Sequence, residues 1–207
     1  MFKGETVVFP GGDGLLYGFE AASGKPKWKA DMNTLGGTKN LYFETRPMIW
    51  NDLVITSLRA SIEEGPQMGA PLIALMPDKL PETAWTFGKE LGGFWWQMVL
   101  QDGVLYAVSA PNILHAIDPT SGREHWRINV GSGTDAMGMK LAGARGRLFL
   151  SNTHGELVIV KLGSDPPAKA TFEMAGMGAS YGPPTLSAHG LFVPNRAGLL
   201  LVRPRGS

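Results

Sequence analysis

The fold of this chain is decided by residues 112–126, which read Asn-Ile-Leu-His-Ala-Ile-Asp-Pro-Thr-Ser-Gly-Arg-Glu-His-Trp. A short apolar strand leads into a tight turn of Asp, Ser and Gly, and a return strand carries Trp126. Residues 14–28 repeat the pattern without a gap: Gly-Leu-Leu-Tyr-Gly-Phe-Glu-Ala-Ala-Ser-Gly-Lys-Pro-Lys-Trp. In both copies a small residue precedes an acid by two places, Ser-Gly begins three places after the acid, and Trp follows four places after the Gly. Such self-similarity indicates an internal structural repeat.

Size and composition limit the class of protein. The chain has 207 residues, with 19 basic and 18 acidic side chains, 28 Gly, 15 Pro and no Cys. The balanced charge gives no electrostatic case for binding nucleic acid or an anionic membrane surface. The absence of Cys excludes disulfides, thiol catalysis and cysteine metal sites. No apolar run approaches the roughly 20 residues that a helix needs to span a bilayer.

More diverged copies of the repeat extend over the rest of the chain. Each has a small or apolar residue at the centre of its motif strand, and after the first repeat these centres lie about 42 residues apart: Gly18, Ala74, Ala116, Ile159 and Leu201. Ahead of each centre lie further short apolar runs, and from the second repeat onward they are joined by turn sequences such as Asn51-Asp52, Arg145-Gly146 and His189-Gly190. Such pairs are hairpin signals, and no long segment has helical apolar spacing. Each full repeat is therefore predicted to be a four-stranded antiparallel meander.

Four-stranded repeats of this length predict an all-β fold, a β-propeller with one repeat per blade. We predict a single propeller domain over residues 1–207. It has about five blade units, at about residues 1–33, 46–90, 94–131, 137–175 and 181–205. The first unit begins at its second strand and the last ends after its third, which gives 18 strands. The alternatives are an irregular five-blade ring and part of a larger ring cut at both ends. We favour the second, because the first unit lacks the inner strand that every other unit has.

The repeated residues have a structural explanation. Gly24 and Gly122 take the positive φ that the turn needs, and Glu20 and Asp118 accept hydrogen bonds from the turn. The small residue at the centre leaves room for an indole from the adjacent blade. We therefore predict that seven residues dock neighbouring blades: Trp28, Trp85, Trp126, Asp118, Glu20, Gly24 and Gly122. In the fourth repeat Phe172 takes the place of the tryptophan.

The pattern of small residue, acid, Ser-Gly and Trp resembles the tryptophan-docking motif of quinoprotein-type propellers, the PQQ-like repeat family. The segments 11–20 and 36–40 are similar to bacterial BamB-like repeat proteins of that family. The resemblance implies a propeller that is exported to the periplasm, although the N-terminus has no apolar signal core. Quinoprotein dehydrogenases use a cysteine pair, a Ca²⁺ ion and a catalytic Asp around a quinone. This chain has no Cys and about half the blades, so the resemblance implies the fold, and we expect no cofactor, metal or catalytic residue.

Topology predicts where a partner would bind. Both long connections, residues 32–46 and 59–71, occur at strand ends that belong to the same face of a propeller. Loops on a rigid scaffold carry function more often than the scaffold itself, and aromatic residues with Arg are enriched at binding hot spots. We therefore predict a surface for a protein or peptide partner, with these candidate residues: Lys39, Tyr42, Glu44, Arg46, Arg59, Glu63, Glu64, Trp95 and Trp96. The alternative is that these loops pack on each other and the aromatic side chains fill the inner ring.

The sequence is compatible with two other functions. One is a quinoprotein-like oxidoreductase fragment, and the other is a carbohydrate-binding propeller with exposed Trp and Tyr side chains. His115, His125, His154 and His189 have no chelating spacing, so we interpret each as a packed or surface histidine. Open sheet edges at the two ends would further allow self-association. Nucleic acid and an integral membrane segment are not expected.

Overall fold

The computed structural model describes residues 2–37, 42–43, 45–59, 71–91, 95–131, 139–174, 178–180 and 182–203, with the backbone alone for Glu90, Trp95 and Trp96. The chain divides into two compact bodies. The N-terminal body comprises Met1–Trp95 together with Asp118–Arg123. The C-terminal body comprises Trp96–Ile117 together with Glu124–Ser207.

Two antiparallel sheets build the N-terminal body. The strands of the first sheet are β1 (Thr6–Pro10), β2 (Leu15–Glu20) and β3 (Pro26–Asp31). A short helix α1 follows (Met32–Gly36). The strands of the second sheet are β4 (Tyr42–Phe43), β5 (Met48–Trp50), β6 (Leu53–Arg59), β7 (Leu72–Leu75) and β8 (Thr83–Phe87). Single 3₁₀ turns lie at Pro77–Lys79 and Lys89–Leu91.

Three further antiparallel sheets follow along the chain. The third sheet contains β9 (Trp95–Gln101), β10 (Val104–Ser109), β11 (Ile113–Ile117) and β12 (Glu124–Asn129). The fourth contains β13 (Lys140–Ala144), β14 (Arg147–Ser151), β15 (Glu156–Lys161) and β16 (Ala168–Glu173). The fifth contains β17 (Thr185–Ser187), β18 (Gly190–Asn195) and β19 (Gly198–Val202). The all-β prediction is therefore confirmed.

A left-handed two-residue turn recurs between the first two strands of a repeat. The φ angles are +52° and +78° at Asp102–Gly103, and +52° and +67° at Arg145–Gly146. Positive φ at both central residues gives the type I′ turn, whose twist matches that of the hairpin strands. The fifth repeat differs from the prediction, because Ser187 pairs with Gly190 and the turn residues are 188 and 189.

The first sheet has three strands, as predicted, and one additional bridge. Lys3 and Gly4 have φ angles of +48° and +72°, the same turn as in later repeats. Phe2 bridges Thr6 on the side of β1 away from β2, with hydrogen bonds of 2.8 and 3.0 Å. Phe2 thus occupies one position of the inner strand that the sequence pattern did not reveal.

The described residues form 19 strands rather than the 18 predicted. The additional strand is β4, which lies inside the segment predicted to be a long connection. β4 pairs with the C-terminal end of β6, whereas β5 pairs with the N-terminal end of the same strand. Helix α1 lies in that connection as well, and Asp31 caps it by accepting hydrogen bonds from the amides of Asn33 and Thr34.

The middle strands of the sheets carry the core. Every residue of β7 is buried, and so are six of the seven residues of β6. Strands that are covered on both faces read as continuous apolar runs, as Leu-Ile-Ala-Leu does in β7. The outermost strand β16 is exposed along its whole length. Among the described residues, no helix has the length and apolar character to cross a bilayer.

Candidate functional site

The structure describes only part of the predicted binding surface. Lys39, Glu44, Glu63 and Glu64 lie outside the described residues. Trp95 and Trp96 are described by their backbone alone, and they are the first two residues of strand β9.

Two of the three remaining candidates, Tyr42 and Arg59, lie where the two long connections meet. β4 comes from the first connection and pairs with the end of β6, from which the second connection departs. Tyr42 is directly opposite Arg59 in this pair, and Phe43 is opposite Leu58. Directly opposed residues of an antiparallel pair have Cβ atoms about 4.5–5.5 Å apart. The pairing therefore holds the Tyr42 and Arg59 side chains side by side.

A buried hydrogen-bonded pair anchors the same region. The hydroxyl of Thr45, two residues after β4, lies 2.8 Å from the hydroxyl of Ser57 in β6. Ser57 is fully buried, and Arg46 follows Thr45 with an exposed side chain. We call Tyr42, Arg46 and Arg59 the insertion surface.

The insertion surface has a definite chemistry. The side chain of Tyr42 is 52% exposed, so an apolar ring with a polar hydroxyl is presented to solvent. Arg59 is half-buried and Arg46 is exposed. A guanidinium offers five fixed N–H donors and a flat face for stacking. The surface therefore suits a ligand that combines carbonyl or carboxylate acceptors with apolar groups, which is the chemistry of a peptide.

The predicted docking residue Trp85 contacts the turn at residues 118–123. Its indole Nε1 donates a hydrogen bond of 3.1 Å to the carbonyl oxygen of Pro119. A Cβ atom built on Gly122 would come within 2.7 Å of the indole ring, so the ring lies directly against the glycine. Trp50 contacts the same turn, with a 3.0 Å bond from its Nε1 to the hydroxyl of Thr120. The motif did not reveal Trp50, because only one of the repeats has a Trp at that position.

The turns around the two acids differ in detail. Asp118 Oδ1 accepts hydrogen bonds from the amides of Thr120 and Ser121, at 2.8 and 2.9 Å. Glu20, which has a longer side chain, instead accepts a hydrogen bond from the hydroxyl of Ser23. In both turns the glycine amide donates to the carbonyl oxygen of the acid, 2.8 Å for Gly24 and 2.9 Å for Gly122.

The small central residue of the motif makes room for the tryptophan of its own blade. Gly18 pairs with Trp28, and a Cβ on Gly18 would lie 2.2 Å from the indole. Ala74 pairs with Trp85 and Ala116 pairs with Trp126 in the same way. This corrects the prediction that the room was for an indole of the adjacent blade. The reason is register: the two residues are cross-strand partners, and a β-bulge follows each small residue.

The third sheet shows what the small residue permits. Tyr106 pairs with Ala116 on the side opposite Trp126, and the Tyr106 and Trp126 rings lie 5.8 Å apart between centroids. Two large rings thus meet across three strands because the middle residue is an alanine.

The fourth repeat reverses this size pattern. Ile159 occupies the centre, and its partner on the outer strand is Ala170. Phe172, predicted to replace the tryptophan, pairs with Leu157 and is 50% exposed. The prediction for Phe172 is wrong, because the centre is already filled by the large isoleucine and the register places the phenylalanine two residues away.

A polar network joins the fourth and fifth sheets instead. The hydroxyl of Ser180 donates to the carbonyl oxygen of Pro194 in β18 at 2.6 Å and lies 2.9 Å from the hydroxyl of Ser151 in β14. The Ser180 amide donates to the carbonyl oxygen of Asn152 at 3.0 Å. Ser151, Asn152 and Ser180 are fully buried. Buried polar groups that satisfy one another give a specific contact in place of an aromatic one.

Sequence reasoning missed a hydrogen-bonded serine, histidine and glutamate. Ser109 Oγ lies 2.8 Å from Nε2 of His115, and His115 Nδ1 lies 2.6 Å from Oε1 of Glu124. Burial lowers the pKa of His115 below its usual value, and the hydrogen bond to Glu124 acts in the opposite direction. Ser109 and His115 are each 1% exposed, so a substrate cannot reach the hydroxyl. The array ties β10, β11 and β12 together, and His115 is a packed histidine, one of the two alternatives that the sequence left open.

The N-terminal body contains a small cavity. Its volume is about 130 Å³, and it lies between Ala30 in β3, Leu35 in α1 and the Leu80–Pro81 turn. Pockets for small organic ligands are typically about 300–1,000 Å³, so this one is too small for such a ligand. Within the described ranges no three His, Asp or Glu side chains are grouped so that they could hold a metal ion.

The middle of the chain matches a known family. The family model described as outer membrane protein assembly factor BamB matches residues 78–164. The resemblance to the PQQ-like repeat family is confirmed. The matched stretch begins before β8 and ends after β15, and it contains the motif at residues 112–126. No curated protein sequence matches the chain.

Two solved structures share the fold of this chain. BamB from Moraxella catarrhalis has a TM-score of 0.65 and 12% identity, over 96% of this chain and 54% of that one. The computationally designed Ika8 protein has a TM-score of 0.69 and 8% identity, over 98% of this chain and 57% of that one. At these identities the likeness shows the fold alone, and it supports the β-propeller. The chain spans a little over half the length of both proteins.

Proposed function

We propose that this chain is a non-enzymatic β-propeller scaffold that binds a protein or peptide partner through the insertion surface. The observation that carries the proposal is the pairing of Tyr42 with Arg59. It joins one residue from each long connection into a single patch on a sheet. Both residue types are enriched among those that dominate binding energy at interfaces.

The patch is built on a rigid support. Leu58, beside Arg59, is fully buried in the apolar core of the N-terminal body, and Phe43, beside Tyr42, packs against the same core. A binding group on a fixed strand loses less conformational entropy on binding than one on a flexible loop. The position of Tyr42 and Arg59 therefore favours recognition of a partner.

The family resemblance supports a scaffold role and an exported location. The matching family model describes an outer membrane protein assembly factor. By that resemblance we propose that this chain works in the periplasm or another exported location. Neither a quinone nor a carbohydrate site is supported by a specific feature of the described residues, and we propose neither.

The test is a selection of displayed random peptides on the wild-type chain, followed by affinity measurements with enriched peptides. We expect Tyr42→Ala and Arg46→Ala each to weaken binding about tenfold or more, since truncating a hot-spot side chain costs about 2 kcal/mol or more. Phe172→Ala is the matched control, because Phe172 is an equally exposed aromatic on a different sheet. Its affinity should equal that of the wild type.

Two outcomes would contradict the proposal. One is that no peptide is enriched over a blank surface. The other is that the enriched peptides bind all three variants with wild-type affinity. Thermal unfolding of each variant shows whether a lost affinity comes from lost folding.

A further inference from the structure

The first sheet has a second apolar face besides the one in the core. Val7 and Phe9 in β1 are directly opposite Phe19 and Tyr17 in β2, so all four side chains project from the same side. Val7 is 43% exposed and Phe9 is 57% exposed. The rings of Tyr17 and Phe19 stack at 5.8 Å. We call these four residues the first face.

The core lies on the other side of this sheet. Leu16 is fully buried there, and Val8 and Trp28 pack against the same cluster. The first face is therefore additional apolar surface, rich in aromatic rings. Apolar patches of this kind on soluble proteins mark interaction sites.

The last sheet has the same arrangement. Phe192 in β18 is directly opposite Leu201 in β19, and Pro194 is opposite Leu199. Leu199 is 63% exposed, the highest exposed fraction among the large apolar residues described. The alternate residues of the same strands, Val193 among them, pack into the core of the C-terminal body. We call Phe192, Pro194, Leu199 and Leu201 the last face.

We propose that the first face of one copy of this chain packs against the last face of a second copy. A blade of a propeller gains stability by stacking its face on that of a neighbouring blade. The chain covers 54% and 57% of the two solved propeller-like proteins that it matches. Two copies together thus supply slightly more chain than one complete protein of that kind. A second copy supplies both an apolar surface that can cover the first face and enough blades for a complete propeller.

Two polar side chains beside the first face are already paired within the chain, whereas Lys29, directly opposite Tyr17, adds an exposed charge to the same side of the sheet. The hydroxyl of Tyr17 donates to Asp13 at 2.5 Å, and Lys27 lies 3.7 Å from Glu5. Covering the face leaves the tyrosine hydroxyl with its partner, so no desolvation penalty for an unpaired group arises there. Strands β17, β18 and β19 contain no charged residue, so the last face brings no charge into the contact.

The free edge of β1 is a poorer site for association than its face. The amide of Gly11 donates to the carbonyl oxygen of Leu15, so the odd-numbered residues of β1 direct their backbone groups at β2. Thr6, Val8 and Pro10 direct theirs outward. Thr6 is already bonded to Phe2, and a proline has no N–H to donate. Of the two open edges at which the sequence predicts self-association, the β1 edge is therefore less suited to it than the first face.

The contact is heterologous, because the two faces are different surfaces. The test is the solution mass of the 207-residue chain, measured by light scattering on a sizing column over a wide range of concentrations. We expect wild-type assemblies of at least twice the 22.2 kDa of one chain. Phe9→Glu and Leu199→Glu should each give monomers, and Val7→Glu serves as a second first-face variant. Phe172→Glu is the matched control on an exposed strand, and it should keep the wild-type mass.

Mixing the two variants distinguishes this contact from a symmetric one. The Phe9→Glu chain keeps an intact last face, and the Leu199→Glu chain keeps an intact first face. Their mixture should therefore form a heterodimer, although each alone is monomeric. A wild-type chain that stays monomeric at every concentration overturns the proposal, and so does a Leu199→Glu chain that keeps the wild-type mass. A mixture that stays monomeric overturns it too, provided that the circular dichroism of both variants is native.

Discussion

The indole nitrogen of Trp85 donates a hydrogen bond of 3.1 Å to the main-chain carbonyl oxygen of Pro119. The two residues are 34 positions apart and belong to successive repeats. The ring is 8% exposed, so the bond is made away from water. A partner lost from a buried hydrogen bond leaves the other group unsatisfied, which costs more than the bond itself contributes. The contribution of the repeat motif to the free energy of unfolding can therefore be measured through this bond.

Trp85 and Trp50 offer a matched comparison, because both indoles donate to the same turn. Trp85→Phe should lower the free energy of unfolding by about 1–3 kcal/mol, since it leaves the Pro119 carbonyl oxygen buried and unpaired. Trp50→Phe should cost under about 1 kcal/mol, because its bond to Thr120 is exposed to water. Urea titration of the two variants measures both. Equal losses in the free energy of unfolding would show that the buried Trp85 bond stabilises the fold no more than the exposed Trp50 bond.

Alanine substitutions at Gly122 and Gly24 separate the cost of disturbed ring packing from the cost of a strained backbone conformation. Both have positive φ, +72° and +71°, so replacing either with Ala costs about 1–2 kcal/mol for the left-handed conformation. A Cβ on Gly122 also meets the Trp85 ring at 2.7 Å, whereas a Cβ on Gly24 meets nothing within 4 Å. Gly122→Ala should therefore be less stable than Gly24→Ala by about a further 1–3 kcal/mol. If the two variants have the same melting temperature, Trp85 does not pack on Gly122 as described.

The buried His115 should make stability fall in mild acid. Its pKa in the folded protein is below the ordinary value of 6.5, chiefly because of burial. As the pH falls below 6.5 the unfolded chain takes up a proton that the folded chain does not, so the free energy of unfolding decreases until the pH reaches the lower folded pKa. His115→Gln should have a flatter stability profile over this range. His125→Gln, a change at an exposed site in the next strand, should keep the wild-type slope, and a wild-type slope in His115→Gln would refute the assignment.

Ser180 should contribute more to the stability of the fold than the small size of its side chain suggests. It is fully buried and bonded to both the fourth and the fifth sheets. Ser180→Ala should lower the free energy of unfolding by about 1–3 kcal/mol, because Pro194 loses its donor. Ser164→Ala is the control, since that hydroxyl is exposed and its bond to the Pro166 carbonyl oxygen is local. An undiminished stability in Ser180→Ala would mean that other contacts join these sheets.

Local requirements explain which features could be predicted from the sequence. A turn with positive φ requires glycine, and a tryptophan facing a neighbouring strand requires a small partner. Gly122 and Ala116 therefore reveal the blades wherever the motif is intact. The motif also predicted the resemblance that the family match over residues 78–164 confirms.

Features that depend on register were not predictable in the same way. Strand β4 is two residues long, and it exists because Tyr42 and Phe43 find partners at the end of β6. Phe172 was misassigned because apolar character alone does not reveal that Ile159 is paired with Ala170. Ser109, His115 and Glu124 have ordinary spacing in the sequence, and only the alignment of three strands brings them together.

The central claim is that a partner binds at the insertion surface, and site-directed photo-crosslinking tests it most directly. A benzophenone amino acid is placed at position 42 in one chain and at position 172 in another, replacing exposed aromatic residues of similar accessibility. Each chain is irradiated with a peptide selected on the wild-type protein. The account predicts a covalent adduct at position 42 and none at position 172. Equal labelling of both positions, or labelling of position 172 alone, would contradict it.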